Sequence, residues 1–337
     1  MMKNKSLLIT IFLLLMVVLS SSVTFAFFGS DDGEHNMLIA TAHDDGHVVL
    51  EMGRKFKEIV EEKSEGAITV NITSGGAMGG EEAIIEQVSE GAVEAQLHGS
   101  LIIQMFADEH YWIGAPFVIR DYDHFLNIWN SEVGHGIKDI VLEEGNIRFL
   151  SVMYQGGRQT TSNIPFKNIE EFQESNLTLR LPQLESWVKI WGEIGANTVP
   201  VALNELFSSL QLGVADASEG GLTQIDSMHL NEVQDYLIMT EHLVSTGYLT
   251  INEDWFQSLE PELQEIVTEA AEEAGKYATE FTKLKQESLA EDLEEKGMTI
   301  IYPEMEGFRK VGEPAAIKLF DTMWSESGLS WEDVQSY

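Results

Sequence analysis

The sequence predicts an α/β protein in two lobes, with parallel sheets packed between helices. Three observations lead there. Short apolar strands alternate with amphipathic helices along most of the chain, the pattern of a parallel sheet covered by helices. About 310 residues follow an apolar leader, enough for two domains. No Pro/Gly/Ser linker and no internal repeat divides them, so the chain is expected to cross between lobes more than once. Finally, residues 258–296 contain little that breaks a helix. At 1.5 Å per residue that run would span ~58 Å, more than one ordinary domain, so it is expected to lie along both lobes.

The elements follow in order. Met37 to Ala42 reads as a short strand, and His43-Asp44-Asp45-Gly46 as a turn with Asp at the N-cap of an amphipathic helix from Val48 to Lys63. Ala67 to Ile72 alternates as a strand, Gly75 to Gly80 is a loop, Glu81 to Ser89 a helix, and Val93 to Leu97 a strand. The pattern then repeats: strand Arg148 to Tyr154, strand Leu177 to Leu181, helix Glu185 to Ile194, strand Asn197 to Val201, helix Asn204 to Leu212, and a strand opening at Ala215. In the long helix, Pro261 is tolerated in the first turn. Leu263, Ile266, Val267, Ala270, Ala274, Tyr277, Ala278 and Phe281 form one stripe; Gly275 weakens it and Gly297 stops it.

Lys3 and Lys5 precede an apolar run from Leu7 to Leu19, then Ser20 to Ser22 and Thr24-Phe25-Ala26. That order predicts a cleavable signal peptide over 1–26 and a periplasmic location. The apolar run is short of the ~20 residues a spanning helix needs. The absence of cysteine excludes disulfides and a lipid-modified N-terminal cysteine. The chain carries 20 Lys+Arg against 56 Asp+Glu, a net charge of −36. Nucleic acid is thereby excluded as a partner, since phosphate binding needs basic patches. The acidic excess reads as a solvated surface suited to salty surroundings rather than as a cation-binding device, and no metal or cofactor is expected.

Only six arginines are present, and two of them lie close together, Arg158 in Gly156-Gly157-Arg158-Gln159-Thr160-Thr161-Ser162 and Arg180 in Leu177-Thr178-Leu179-Arg180-Leu181-Pro182. A guanidinium fits a carboxylate bidentately and stays charged. Leu177, Leu179 and Leu181 share one face of a strand, so Thr178 and Arg180 share the other. Pro182 ends the strand and leaves Arg180 near its carboxyl end, where open α/β sheets bind ligands. From the residues alone, a structural ion pair within this acidic chain and a site for an organic acid are equal readings.

The ordered series Gly157-Arg158-Gln159-Thr160-Thr161-Ser162-Asn163, Leu179-Arg180-Leu181-Pro182, Gly195-Ala196, Pro200, Asn204-Glu205-Leu206 and Leu210-Gln211-Leu212-Gly213-Val214-Ala215-Asp216 resembles the solute receptors of tripartite ATP-independent periplasmic (TRAP) transporters, of the sialic-acid and dicarboxylate (DctP) type. Pro116-Phe117-Val118-Ile119-Arg120-Asp121-Tyr122, Glu232-Val233-Gln234-Asp235-Tyr236 and Pro261-Glu262-Leu263-Gln264 extend the resemblance along the chain. It implies a two-lobed periplasmic binding protein with hinge strands and a long helix shared by both lobes. The division implied is 31–155 with 246–285 for lobe I and 156–245 with 286–337 for lobe II. The resemblance implies a monomeric receptor that binds a carboxylate-containing organic acid in the inter-lobe cleft, without chemistry of its own, and delivers it to the membrane permease subunits. The alternatives are a periplasmic enzyme or a sensory receptor acting on an organic acid; no Gly-x-Ser-x-Gly elbow, cysteine nucleophile or metal cluster supports the enzyme.

By this resemblance Arg180 pairs with the ligand carboxylate and Arg158 lies near it, which favours the ligand reading. Glu81 falls at an acidic position of the site and Thr41 at a polar one; Gln183, just past Pro182, joins the set. The chain also departs from the sialic-acid pattern. Gly220 stands where an asparagine contacts the carboxylate, Gly99 beside His98 where a glutamate stands, and Leu203 where an aromatic stands. With those two polar side chains replaced by glycine, the solute implied is a different, bulkier or more apolar carboxylate than sialic acid. Trp187 either stacks on the ligand or, at helical spacing with Ile190, Trp191 and Ile194, packs the core. Tyr154 and Tyr248 either touch the ligand or pack the hinge. His43 and His47 are read as parts of a turn, because Gly46 breaks the helix that would put them on one face.

The charge balance leads to an expected outcome. Thermal melting across a sodium chloride series should show stability rising from millimolar salt toward 1 M, as the Debye length shrinks to ~3 Å and the acidic surface ceases to repel itself. A melting temperature indifferent to salt would contradict this reading.

Overall fold

The computed structural model describes residues 34–337; the expected signal peptide over 1–26 lies outside them. Ten strands form one sheet: β1 (His35–Ala40), β2 (Ile68–Thr73), β3 (Ala95–His98), β4 (Ile147–Ser162), β5 (Thr178–Leu181), β6 (Asn197–Pro200), β7 (Ala217–Gly221), β8 (Tyr236–Ile238), β9 (Val244–Asn252) and β10 (Thr299–Ile301). Its main order is β2-β1-β3-β9-β4-β7-β5-β6, with β8 joining β4 to β10. Within each half the neighbours β1/β2, β1/β3, β5/β6 and β5/β7 are parallel. The strands at the middle are antiparallel: β9 pairs with β3 and β4, and β4 pairs with β7 and β8. The expected crossing strands are therefore β4 and β9. β4 pairs with β9 from Ile147 to Gly157 and with β7 from Arg158 to Ser162, so a single strand passes from one half of the sheet to the other.

The helices Val48–Lys63, Glu81–Ser89 and Glu185–Ile194 fall on their expected bounds. Others differ. The strand expected over Arg148–Tyr154 continues to Ser162, with Gly156 at φ 101° absorbing a bulge. The expected helix Asn204–Leu212 opens as a single tight turn over Leu203–Glu205 before the helix Leu206–Gln211. The N-cap before Val48 is His47, whose Nδ1 accepts from Val49 N at 3.2 Å, rather than an aspartate; Asp45 instead pairs with Arg54 at 3.0 Å.

The long helix runs from Pro261 to Glu295, 35 residues or ~52 Å, with Pro261 at its start. It packs on the helix Val48–Lys63 and β4 in one half and on the helix Leu222–Ser227 and β10 in the other. Val267, Ala270, Ala274 and Ala278 of the expected stripe are fully buried, whereas Tyr277 is 43% exposed and takes Lys55 over its ring. Two glycines set how closely helix and strand approach. A Cβ at Gly275 would lie 2.1 Å from Ser151 Oγ and 2.8 Å from the Val152 carbonyl, and one at Gly156 would collide with Gln286. Gly275 thus gives up helix propensity to admit the crossing strand.

Gly275→Val should lower folding stability by about 1–3 kcal/mol, the usual cost of forcing extra atoms into a packed contact. The midpoint of urea unfolding measures it; a midpoint at or above that of the unsubstituted protein would show that helix and strand separate at no cost.

Candidate functional site

A cleft of about 330 Å³ opens between the two halves of the sheet, beside the carboxyl end of β5. Arg158, Arg180, Gln183, Glu81, Leu203 and Trp187, six of the residues expected from the sequence, line it. Pro182 and Val201 explain how β5 delivers Arg180. The strand stops at Leu181, and the Val201 carbonyl, just past β6, receives Arg180 Nε at 2.9 Å and one terminal nitrogen at 2.6 Å. Arg180 is 1% exposed, yet no carboxylate among the described residues lies within ion-pair distance. Burial depresses its pKa to about 10, because Glu219 and Glu81 act on it only from farther away and Arg158 opposes them.

Arg158 is arranged differently. Its Nε and one terminal nitrogen grip the two carboxylate oxygens of Glu219 at 2.5 and 2.9 Å, and its guanidinium carbon lies 5.2 Å from the centre of the Trp187 ring. β4 and β7 place it so, with Arg158 directly opposite Gly221 and Thr160 opposite Glu219. His242 approaches the same carboxylate at 3.4 Å, while its Nδ1 shares a hydrogen bond of 2.9 Å with Thr240. Burial opposes ionisation of Glu219, but the Arg158 charge and the contacts from His242 and Arg158 outweigh it and hold the carboxyl at about 2. Burial keeps His242 below its ordinary value. Glu219 is the residue that sequence reasoning passed over: its place one residue before Gly220 was visible, but its partner was not.

Glu81 opens the helix Glu81–Ser89 and accepts from Gly99 N at 2.8 Å. Burial raises its pKa, although the Gly99 amide and both arginines pull it down. Thr41, His98 and Gly220 do not line the cleft. Thr41 turns its hydroxyl onto His43 N at 3.2 Å. The ring of His98 is held between the Gly99 carbonyl at 2.6 Å and Thr250 at 3.0 Å, and stacks on Tyr248. Gly220 is covered by Gln224. The room expected at Gly220 is occupied by the Gln224 amide, whereas Gly99 lines the cleft and a Cβ there would make only an ordinary contact of 3.5 Å with Glu81 Oε1. Trp187 both lines the cleft and packs the core: it is 3% exposed, with its Nε1 donating to the Gly114 carbonyl at 2.9 Å. Tyr154 and Tyr248 lie outside the lining, packed among Tyr122, Phe149 and Trp129 at the crossing strands. The lining also holds Gln155, Asn204, Gln224, Ser245 and Thr246, a polar set drawn from β4, the turn Leu203–Glu205, the helix Leu222–Ser227 and β9, with no shared periodicity to betray it.

The family model for bacterial extracellular solute-binding proteins, family 7 (DctP), matches residues 39–322. The chain belongs to that family. Its members are solute receptors rather than enzymes. This solute-binding protein is 28% identical over 277 residues to the sialic acid-binding periplasmic protein of Vibrio cholerae, covering 82% of this chain and 85% of that one. It is 31% identical to a solute-binding protein of Roseobacter denitrificans over 78% of this chain and 80% of the other. A crystal structure of a TRAP periplasmic solute-binding protein from Roseobacter denitrificans with bound L-galactonate superposes with a TM-score of 0.81 at 26% identity, over 87% of this chain and 98% of that one. The two-lobed architecture of those receptors is the fold found here.

The solute-binding protein's two arginines should respond oppositely to truncation. Arg158→Ala leaves Glu219 buried without its cation and should cost about 3–5 kcal/mol of folding stability. Arg180→Met removes a buried charge that has no ion-pair partner, and the ligand-free melting temperature should hold. Calorimetric melting of the two variants checks the contrast; equal losses would show that Arg180 is a structural residue too.

Proposed function

We propose that this chain is the extracytoplasmic receptor of a TRAP transporter, which captures a carboxylate-containing organic acid in the cleft and passes it unaltered to the membrane permease subunits. The observation that carries this reading is Arg180: a buried guanidinium whose one edge is fixed by a peptide carbonyl and whose ion-pair position is open toward the cleft. A bound carboxylate completes it, and the burial that depresses its pKa makes the pair stronger than in water. Arg158 keeps its Glu219 partner and serves as the second positive wall. Gln183 and Leu203 line the cleft mouth, and Trp187 ties the helix Glu185–Ile194 to Gly114 across it.

The protein works as a periplasmic monomer exported through its leader over 1–26, and needs no cofactor or metal. Residues 31–155 with 246–285 move as one lobe and 156–245 with 286–337 as the other, hinged at β4 and β9. Solute closes the lobes and excludes water from the ion pair. The relatives whose bound solutes are known support an acid as cargo: L-galactonate in the Roseobacter denitrificans receptor and D-glucuronate in one from Pseudomonas putida.

Thermal shift over a panel of organic acids tests the reading. A true solute should stabilise in a graded way, by ~2.7 kcal/mol at a hundred times its dissociation constant. It should come back unchanged in mass, and lose ~2–5 kcal/mol of binding in Arg180→Ala. Conversion of the acid, or unchanged affinity in Arg180→Ala, would overturn it.

A further inference from the structure

Gly220 and Gly221 end β7 just behind the cleft lining, with no side chains of their own. The space at Gly220 is nevertheless filled. A Cβ there would lie 2.8 Å from Gln224 Nε2 and 3.0 Å from its Cδ, so the Gln224 amide occupies the position where a side chain of residue 220 would begin. It arrives from the first turn of the helix Leu222–Ser227. Gln224 is 3% exposed and lines the cleft, and its amide nitrogen meets no acceptor among the described residues.

Gln155 presents a similar group from β4. It is 5% exposed and lines the cleft; Ser245 Oγ donates to its Oε1 at 3.3 Å, while its Nε2 also meets no acceptor among the described residues. Its Nε2 lies against β9, 2.2 Å from where a Cβ of Gly247 would be. Native proteins rarely leave a buried N–H donor unmatched, because it forfeits its bond to water and gains nothing in return. Here two such donors border one cavity, and an acceptor oxygen on a bound molecule is what would match them.

Taking the cleft as the solute site proposed above, we infer that Gln224, together with Gln155, forms a specificity-determining donor pair that reads oxygen atoms of the solute other than the carboxylate on Arg180. Gln224 supplies from the following helix the polar contact that Gly220 cannot. The solute class is then a hydroxylated acid. A plain aliphatic acid would bury both N–H groups against methylene, and a site built to hydrogen-bond a solute hydroxyl rejects the analogue lacking it.

Isothermal titration of the full protein with L-galactonate, D-glucuronate and hexanoate tests this. The intact protein should bind at least one of the two hydroxylated acids and prefer it to hexanoate by tenfold or more, about tenfold per donor. Gln224→Met, similar in shape but without the donor, should lose about tenfold on the hydroxylated acid and bind hexanoate more tightly, because no N–H is then buried against methylene, with the ligand-free melting temperature unchanged. Gly220→Ala, whose Cβ must push the amide aside, should weaken binding alike in the intact background and add little to Gln224→Met. Equal affinity for hexanoate, no binding of either hydroxylated acid, or full affinity in Gln224→Met overturns the assignment. Arg180→Ala, measured alongside, separates the two readings. Binding lost there but kept in Gln224→Met removes the donor pair and retains the receptor; binding kept in both removes the cleft as the solute site.

Discussion

A guanidinium sealed from water, with a peptide carbonyl on one edge and no carboxylate on the other, is an incomplete interaction, and the site is organised around it. The chain holds 56 acidic residues, so partners are not scarce; the backbone keeps them away. β5 ends at Leu181 with Pro182 behind it, and the turn after β6 presents the Val201 carbonyl rather than a side chain. Glu219 and Glu81 are close enough to bias the charge of Arg180 but not to pair with it. The result is a fixed cation that is costly to bury alone and favourable to bury with an acid.

Arg158 shows what the same chemistry becomes once a carboxylate is within reach. Gripped by Glu219 on two nitrogens and lying over Trp187, it is part of the wall. Its pKa is raised because Glu219 outweighs the effect of burial, the reverse of the balance at Arg180. A buried cation with no carboxylate partner among the described residues attracts an anion to one place in a protein whose surface otherwise repels it. His43, which also lines the cleft, adds no charge there, since burial and Arg158 hold its pKa at about 3.

Several directional contacts join residues beside the cleft. Gln104 donates to the Gln183 carbonyl at 3.3 Å and accepts from Glu185 N at 3.2 Å, while Trp187 donates to Gly114. The helix Glu185–Ile194 has Leu184 at its N-cap with no side-chain bond, so Gln104, from the other half of the sheet, satisfies one of its first free amides. The crossing strands and the long helix remain continuous throughout, their close approach permitted by Gly156 and Gly275. That division suits hinge closure, in which a few connections bend and the faces of the cleft come together.

The alternation of strands and helices, the length of the shared helix and the delivery of Arg180 to a strand's end were determined by the sequence alone. Each is a local property: periodicity, helix-breaker spacing and a proline stop act within a few residues of one another. Only tertiary structure decided which arginine is free. Glu219 lies 61 residues from Arg158 and meets it through the register of two antiparallel strands, which no local pattern encodes. The cleft lining was hidden in the same way. Gly220 reads as open space, but the space beside a glycine belongs to whichever side chain packs there, here Gln224. His98 and Thr41 sit beside the site in sequence and turn away from it in space, because their polar atoms are satisfied locally, on β9 and the Gly99 carbonyl for His98 and in the turn after β1 for Thr41. A residue's identity fixes what chemistry it can offer; the packing of distant segments fixes whether that chemistry is already taken.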